Sequence, residues 1–281
     1  MNININTLLF IFIFMKIIDC FIFFNEVDLL LYRLELLHNI VDKFVLVESE
    51  YTFTGKKKES FFKNNIEKFS KFLDKIIYIN LEELPYFNPK INIDFNIGEQ
   101  WKNEFYQRDS IKMGLDKIEL YDDDIIIISD VDEIINPIFL NKIKNKEINI
   151  YISSIKMDFY YYNLKCKCMN QWILSKIFNY ETYKNINKSI SDIRKINDLP
   201  EILDGGWHLS YFGDENFIKN KIKNFSHQEF NNNNVINNIS TRIKNSEDLF
   251  GRINFNKISV IDINKNDNLP PKYNIYSKKF I

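Results

Sequence analysis

Two kinds of apolar pattern alternate along the chain. Short unbroken runs of β-branched and aromatic residues mark strands, and apolar positions three and four apart mark helices. Residues 17–24, a largely β-branched and aromatic run interrupted only by Asp19, predict the first strand, and Asn25 stands where it can cap a following helix. That helix carries Val27, Leu30, Leu31, Leu34 and Leu37 on one side. A second strand is expected over 43–47, a helix over 64–73, a third strand over 75–79 and a long helix over 99–117. Residues 124–129 hold four successive isoleucines between acids, the pattern of a strand buried on both faces. Strand and helix in this alternation predict a parallel, right-handed α/β sheet.

The second half is less regular. Extended aromatic stretches are expected over 149–162 and 207–212, after which Asp214 opens an amphipathic helix with Phe217, Ile218, Lys221, Ile222 and Phe225 on one side. The asparagine run 231–234 reads as a loop or a helix break. At the N-terminus, the apolar run 8–15 is far shorter than the roughly 20 residues of a spanning helix, and it lacks the basic start and cleavage site of a signal peptide. The expected organisation is therefore an apolar extension over 1–14, either an anchor or the stretch ahead of an alternative start at Met15. A single domain over 15–263 and a loose polar tail over 264–281 follow. The N-terminal segment is the only expected route to a membrane.

Composition narrows the function. With 281 residues, 45% of them hydrophobic, the chain can bury a sizeable core and is not a disordered polymer. Thirty-seven basic residues against 38 acidic ones give a net charge of −1, which removes general attraction to nucleic acid. Cys20, Cys166 and Cys168 make no disulfide framework. Neither a phosphate-binding G-x-x-x-x-G-K-[ST] loop nor a G-x-G-x-x-G turn nor a G-x-S-x-G elbow occurs.

The strongest chemical signal is the end of the isoleucine strand, Ser129-Asp130-Val131-Asp132-Glu133. Ligands of open parallel sheets bind beyond the carboxyl ends of the strands, where these acids fall. Alternate residues of an extended segment project to the same side, so Asp130 and Asp132 can converge on a hard divalent cation such as Mg²⁺ or Mn²⁺. The plainer alternative is a solvated acidic turn. Three of the seven glycines lie at 205, 206 and 213, around Trp207 and His208. There His208 is either a metal ligand or acid–base group or simply a packed ring. Asp204, Asp158 and Glu229 are nearby carboxylates, each a candidate general base or a surface acid. Glu26 and Glu48 sit just past strand ends, and Arg108 either binds an anion or forms an ion pair.

Taken together, eight ordered motifs resemble glycosyltransferase family 17, the family of beta-1,4-mannosyl-glycoprotein 4-beta-N-acetylglucosaminyltransferase. They are CFIFFNEVDLL (20–30), VDKFVLVES (41–49), YTFTGK (51–56), QRD (107–109), SDVDEI (129–134), FYYYNL (159–164), GWHLSYFG (206–213) and FSHQE (225–229). The resemblance implies a GT-A type, Rossmann-like nucleotide-sugar transferase with a mostly parallel sheet flanked by helices. It implies an inverting mechanism, a UDP-GlcNAc donor, a glycan acceptor of the N-glycan kind and a Mn²⁺ or Mg²⁺ cofactor. Asp130 and Asp132 would then be metal ligands with Asp132 the more direct, and His208 a third. Glu26, Glu48, Arg108, Asp130 and Trp207 would hold the nucleotide sugar, and Glu229 or Asp204 would be the catalytic base. Animal relatives are Golgi proteins with a longer anchor and stem, which leaves a cytoplasmic and a membrane-associated location both open, and the AT-rich bias suits a viral or protist source. Two other classes stand beside this reading. One is a haloacid-dehalogenase-like phosphatase using the D-x-D, and the other a non-catalytic carbohydrate-binding relative.

Overall fold

Alternation of side chains between two buried faces builds the first half. The computed structural model describes residues 15–252 and 257–276, so the expected 1–14 extension lies outside the described residues. In chain order, β1 (Ile17–Phe23), α1 (Val27–Leu37), β2 (Lys43–Ser49), α2 (Phe61–Asn64), β3 (Ile76–Leu81), α3 (Glu99–Asp109), α4 (Ile111–Leu115) and β4 (Ile125–Asp130) come first. Then follow β5 (Glu133–Ile135), α5 (Pro137–Lys144), β6 (Ile152–Tyr161), β7 (Cys166–Cys168), β8 (Lys176–Asn179), α6 (Tyr180–Ile186) and α7 (Ile190–Arg194). Next are β9 (Glu201–Ser210), α8 (Glu215–Asn224), α9 (Asn233–Asn237), α10 (Ile239–Asn245), β10 (Ile258–Val260) and α11 (Tyr273–Tyr276).

The sheet runs β10-β7-β6-β8-β4-β1-β2-β3, with β9 beside β6 and β5. Strands β3, β2, β1 and β4 are parallel, and so are β6 and β9. These ladders register six or seven residue pairs each, the antiparallel ones one to four, so the mixed sheet is parallel over most of its paired length. In β4 the isoleucines divide by parity. Ile125 and Ile127 join the core beneath α1 and α5, and Ile126 and Ile128 join the core beneath α4 and α7. Gly114 lets α4 settle on β2, since a Cβ there would stand 2.3 Å from Val45 Cγ1.

Local chemistry adjusts the expected elements. The helix expected over 99–117 breaks at Ser110, whose hydroxyl donates back to the Tyr106 carbonyl. The helix expected over 64–73 is a tighter 3₁₀ stretch, Ile66–Phe72. At the start of α1 the N-cap is Glu26 rather than Asn25, whose buried Oδ1 has no hydrogen-bond partner among the described residues. Helix α5 was not expected; Asn136 caps it by accepting from the Ile138 amide, with Pro137 in its first turn. Of the asparagine run, Asn232 caps α9 and the next two residues enter that helix.

The tail over 264–281 is not loose where it is described. Trp207 Nε1 donates to the Asn268 carbonyl at 2.8 Å, Asn266 Nδ2 donates to the Tyr160 hydroxyl at 2.8 Å, and the Tyr32 hydroxyl donates to the Pro271 carbonyl at 2.7 Å. Buried aromatic rings need partners for their polar tips, and this segment supplies them. Among the described residues no helix is long and apolar enough to cross a membrane.

Candidate active site

The carboxyl ends of β1, β2 and β4 open into a cavity of about 520 Å³. Phe24 and Glu26 follow β1 there, Tyr51 to Phe53 follow β2, and Asp130 to Asp132 lie at the end of β4. Helix α3 brings in Trp101, Glu104 and Arg108, helix α7 brings Arg194, strand β9 brings His208 and helix α8 brings Lys221.

Behind the cavity, one arginine fixes the turn that carries the acids. Arg33 and Asp19 are fully buried. The guanidinium donates to both Asp19 oxygens at 2.5 and 2.8 Å, to the Ser129 hydroxyl at 2.6 Å, and to the Asp130 and Glu133 carbonyls at 2.9 and 2.7 Å. Glu133 is buried just as deeply. It accepts from Arg194, from Trp172 Nε1 at 2.6 Å, from the Ser175 hydroxyl and from the Asp130 amide. Burial alone would raise its carboxyl, but Arg194 outweighs that and holds it below the ordinary value.

Asp130 lies between two guanidinium groups, 2.6 Å from Arg108 Nη1 and 2.7 Å from Arg194 Nη2. Burial opposes ionisation here too, and the two arginines override it and push the carboxyl far down. A ligand role for Asp130 toward a metal does not fit this arrangement, because both oxygens are already engaged by cations. Asp132 differs. Its Oδ2 accepts from Lys221 Nζ at 3.1 Å, while its Oδ1 stands 3.6 Å from His208 Nε2, beyond hydrogen-bonding range. Lys221 also reaches Glu26 at 3.0 Å. Burial would lower the ammonium's pKa, yet these two carboxylates raise it well above the ordinary lysine value. His208 stacks on Phe159 at 4.7 Å and meets Trp172 at 4.2 Å, and its buried Nδ1 has no hydrogen-bond partner among the described residues. Burial lowers its pKa despite the acids around it, which favours the neutral ring.

The family description Glycosyltransferase family 17 matches residues 12–266, which include every element of this cavity. The chain belongs to glycosyltransferase family 17. That family is one of glycosyltransferases. No curated protein shows significant sequence similarity to it. Among solved structures it resembles the crystal structure of S. aureus TarS 1-349, at 14% identity and a TM-score of 0.38, over 75% of this chain and 66% of that one.

Of the residues the sequence singled out in this family 17 chain, Glu26, Arg108, Asp130, Asp132 and His208 line the cavity together. Five others, Glu48, Asp158, Asp204, Trp207 and Glu229, do not. Glu48 is fully buried and saturated by Lys58, the Ser60 and Tyr78 hydroxyls and the Phe61 and Phe62 amides, so it holds α2 rather than a ligand. Trp207 is buried in a separate apolar cluster with Leu29 and Tyr32. Asp204 is exposed within β9 at φ +52°, where the β6–β9 register shifts, and its carbonyl accepts from Asn136. Glu229 also lies off the cavity, joined to it through His227. Arg33, Asp19 and Arg194 gave no functional signal in the sequence, although a lone Asp within the β1 run and a lone Arg on the apolar side of α1 are each a sign of buried pairing. Lys221 had its own sign, a lysine on the apolar side of α8.

Proposed function

We propose that this chain is a glycosyltransferase that uses a nucleotide-sugar donor of the UDP-GlcNAc kind and passes the sugar, with inversion, to a glycan hydroxyl in a GT-A type fold. The observation that carries the reading is the charge of the cavity. Six basic side chains line it against four acidic ones, in a chain whose net charge is −1. The acids hold Arg108, Arg194 and Lys221 together, and such an array suits a diphosphate better than a neutral sugar alone. An N-glycan mannoside as acceptor rests on the family resemblance.

A divalent cation fits the residues present. Among the described residues no three metal-ligating side chains come together, and Asp132 Oδ1 receives no hydrogen bond, so an ion here would rest on this one carboxylate completed by substrate phosphates and water, as Mg²⁺ sites commonly are. Asp132 would hold the ion, with His208 beside it, and the ion would supply charge neutralisation at the departing diphosphate. The chain's own residues do the rest. Arg108 and Arg194, held in place by Asp130, would set fixed positive charge beside the anion, while Lys221, tethered by Glu26, places a third positive charge beside Asp132.

UDP release from UDP-GlcNAc, with and without Mn²⁺, tests this reading in the wild type and in Asp132→Ala. Metal-stimulated turnover that falls at least about 100-fold in the variant is expected. A wild type that neither binds nor turns over any UDP-sugar would overturn the proposal.

A further inference from the structure

The geometry points to His227 as the group that takes the proton from the attacking hydroxyl, with Glu229 as its positioning residue. This rests on the nucleotide-sugar reading above. His227 lines the cavity, and its Nδ1 lies 2.7 Å from Glu229 Oε1. A carboxylate at Nδ1 fixes the tautomer with the proton there and leaves the Nε2 lone pair available, the arrangement that makes imidazole a base. Among the described residues nothing hydrogen-bonds to that Nε2. Trp101 meets the ring edge-on at 4.6 Å from α3, and Phe225 and Phe230 flank it from its own loop, so Glu229 is its charged partner.

The loop is tied to the anion-binding end of the cavity. The Ser226 hydroxyl donates to Glu104 Oε2 at 2.6 Å, Arg108 donates to Glu104 Oε1 at 2.8 Å, and Arg108 also donates to Asp130. His227 is thus one residue from a continuous chain of charge-assisted bonds that ends at the acids of β4. The competing bases are less well placed. His208 stands against Asp132 between two aromatic rings, Asp158 is buried and bonded to Lys167 and Asn268, and Glu229 reaches the cavity only through His227.

In the step, the acceptor oxygen bonds to the anomeric carbon as the bond from that carbon to the diphosphate oxygen breaks, its electron pair leaving on the phosphate. The hydroxyl proton passes to His227 Nε2. The imidazolium is stabilised by Glu229 and later returns the proton to water.

UDP release from UDP-GlcNAc, with water alone and with p-nitrophenyl β-mannoside, is measured across pH alongside UDP binding. His227→Gln should lower kcat by about 10²–10⁴-fold while UDP affinity stays within threefold. It should also remove the acid-side fall in kcat/KM that protonation of the imidazole causes. Glu229→Gln should lower kcat about tenfold and move that acid-side fall, an effect a purely structural contact would not have. Free imidazole should restore part of the rate to His227→Ala, and Asp204→Asn should keep the wild-type rate. An active wild type with a His227→Gln variant within threefold of it overturns the base assignment alone. An inactive wild type that binds no UDP overturns the donor reading and this inference with it.

Discussion

Arg33 directs its donors inward, to one carboxylate, one hydroxyl and the backbone of the turn that carries Asp132. Arg33→Met should lower folding stability by about 3–5 kcal/mol, because it leaves the Asp19 charge buried without a partner. Urea denaturation measures this, and the Asp19→Asn, Arg33→Met pair should be less costly than Arg33→Met alone. Lys176 illustrates the opposite case. Burial, helped by nearby Arg194, pushes its pKa down to about 8, against roughly 10.4 for an unfolded lysine. Below pH 8 both states carry the proton and the burial cost is felt in full. Between about 8 and 10 the unfolded chain holds more protons, so this residue's contribution to stability rises with pH. Lys176→Met should therefore be more stable than the wild type at pH 7, on the order of 1–3 kcal/mol, with the gap closing toward pH 10. A gap that is constant with pH would contradict the shifted lysine. These roles were poorly legible in the sequence. Asp19 and Arg33 each look like an ordinary charge until the fold aligns them, and nothing near Arg194 distinguishes it from a surface residue.

Elements were more legible than their joints. The β1, β2 and β4 runs fall within two residues of their expected limits because short, largely apolar runs have only one way to be buried in a sheet. The break at Ser110 was invisible, since a single hydroxyl turning back to its own helix decides it. Short partners such as β5 and β7 are set by pairing across the sheet and not by their own three residues. Contact between α4 and β2 depends on the missing side chain of Gly114. Alanine is the better helix former, yet its methyl would overlap the fully buried Val45, so Gly114→Ala should destabilise by about 1–3 kcal/mol. Adding Val45→Ala should recover part of that loss in thermal melts, whereas strictly additive losses would count against the contact.

Over the whole molecule, the acid pair's position at the carboxyl edge was readable, because a buried parallel strand has only one end at which such residues can meet a ligand. The division of labour within it was not. It arises from α7 and α8, which bring Arg194 to Asp130 and Lys221 to Asp132 from more than 60 positions away. The same assembly sets a basic cavity in a nearly neutral chain, so the affinity for UDP should fall as salt rises from 50 to 500 mM, while a neutral monosaccharide should show no such trend. Titration calorimetry at several salt concentrations separates the two.

The aromatic lining has an optical consequence. The chain has three tryptophans; Trp101 and Trp172 line the cavity, and Trp207 is held in another cluster by the Asn268 carbonyl. Intrinsic fluorescence should therefore respond when UDP binds. The response should survive Trp207→Phe and shrink in Trp101→Phe and in Trp172→Phe. An emission spectrum unchanged at saturating UDP would mean that the nucleotide sits elsewhere on the protein.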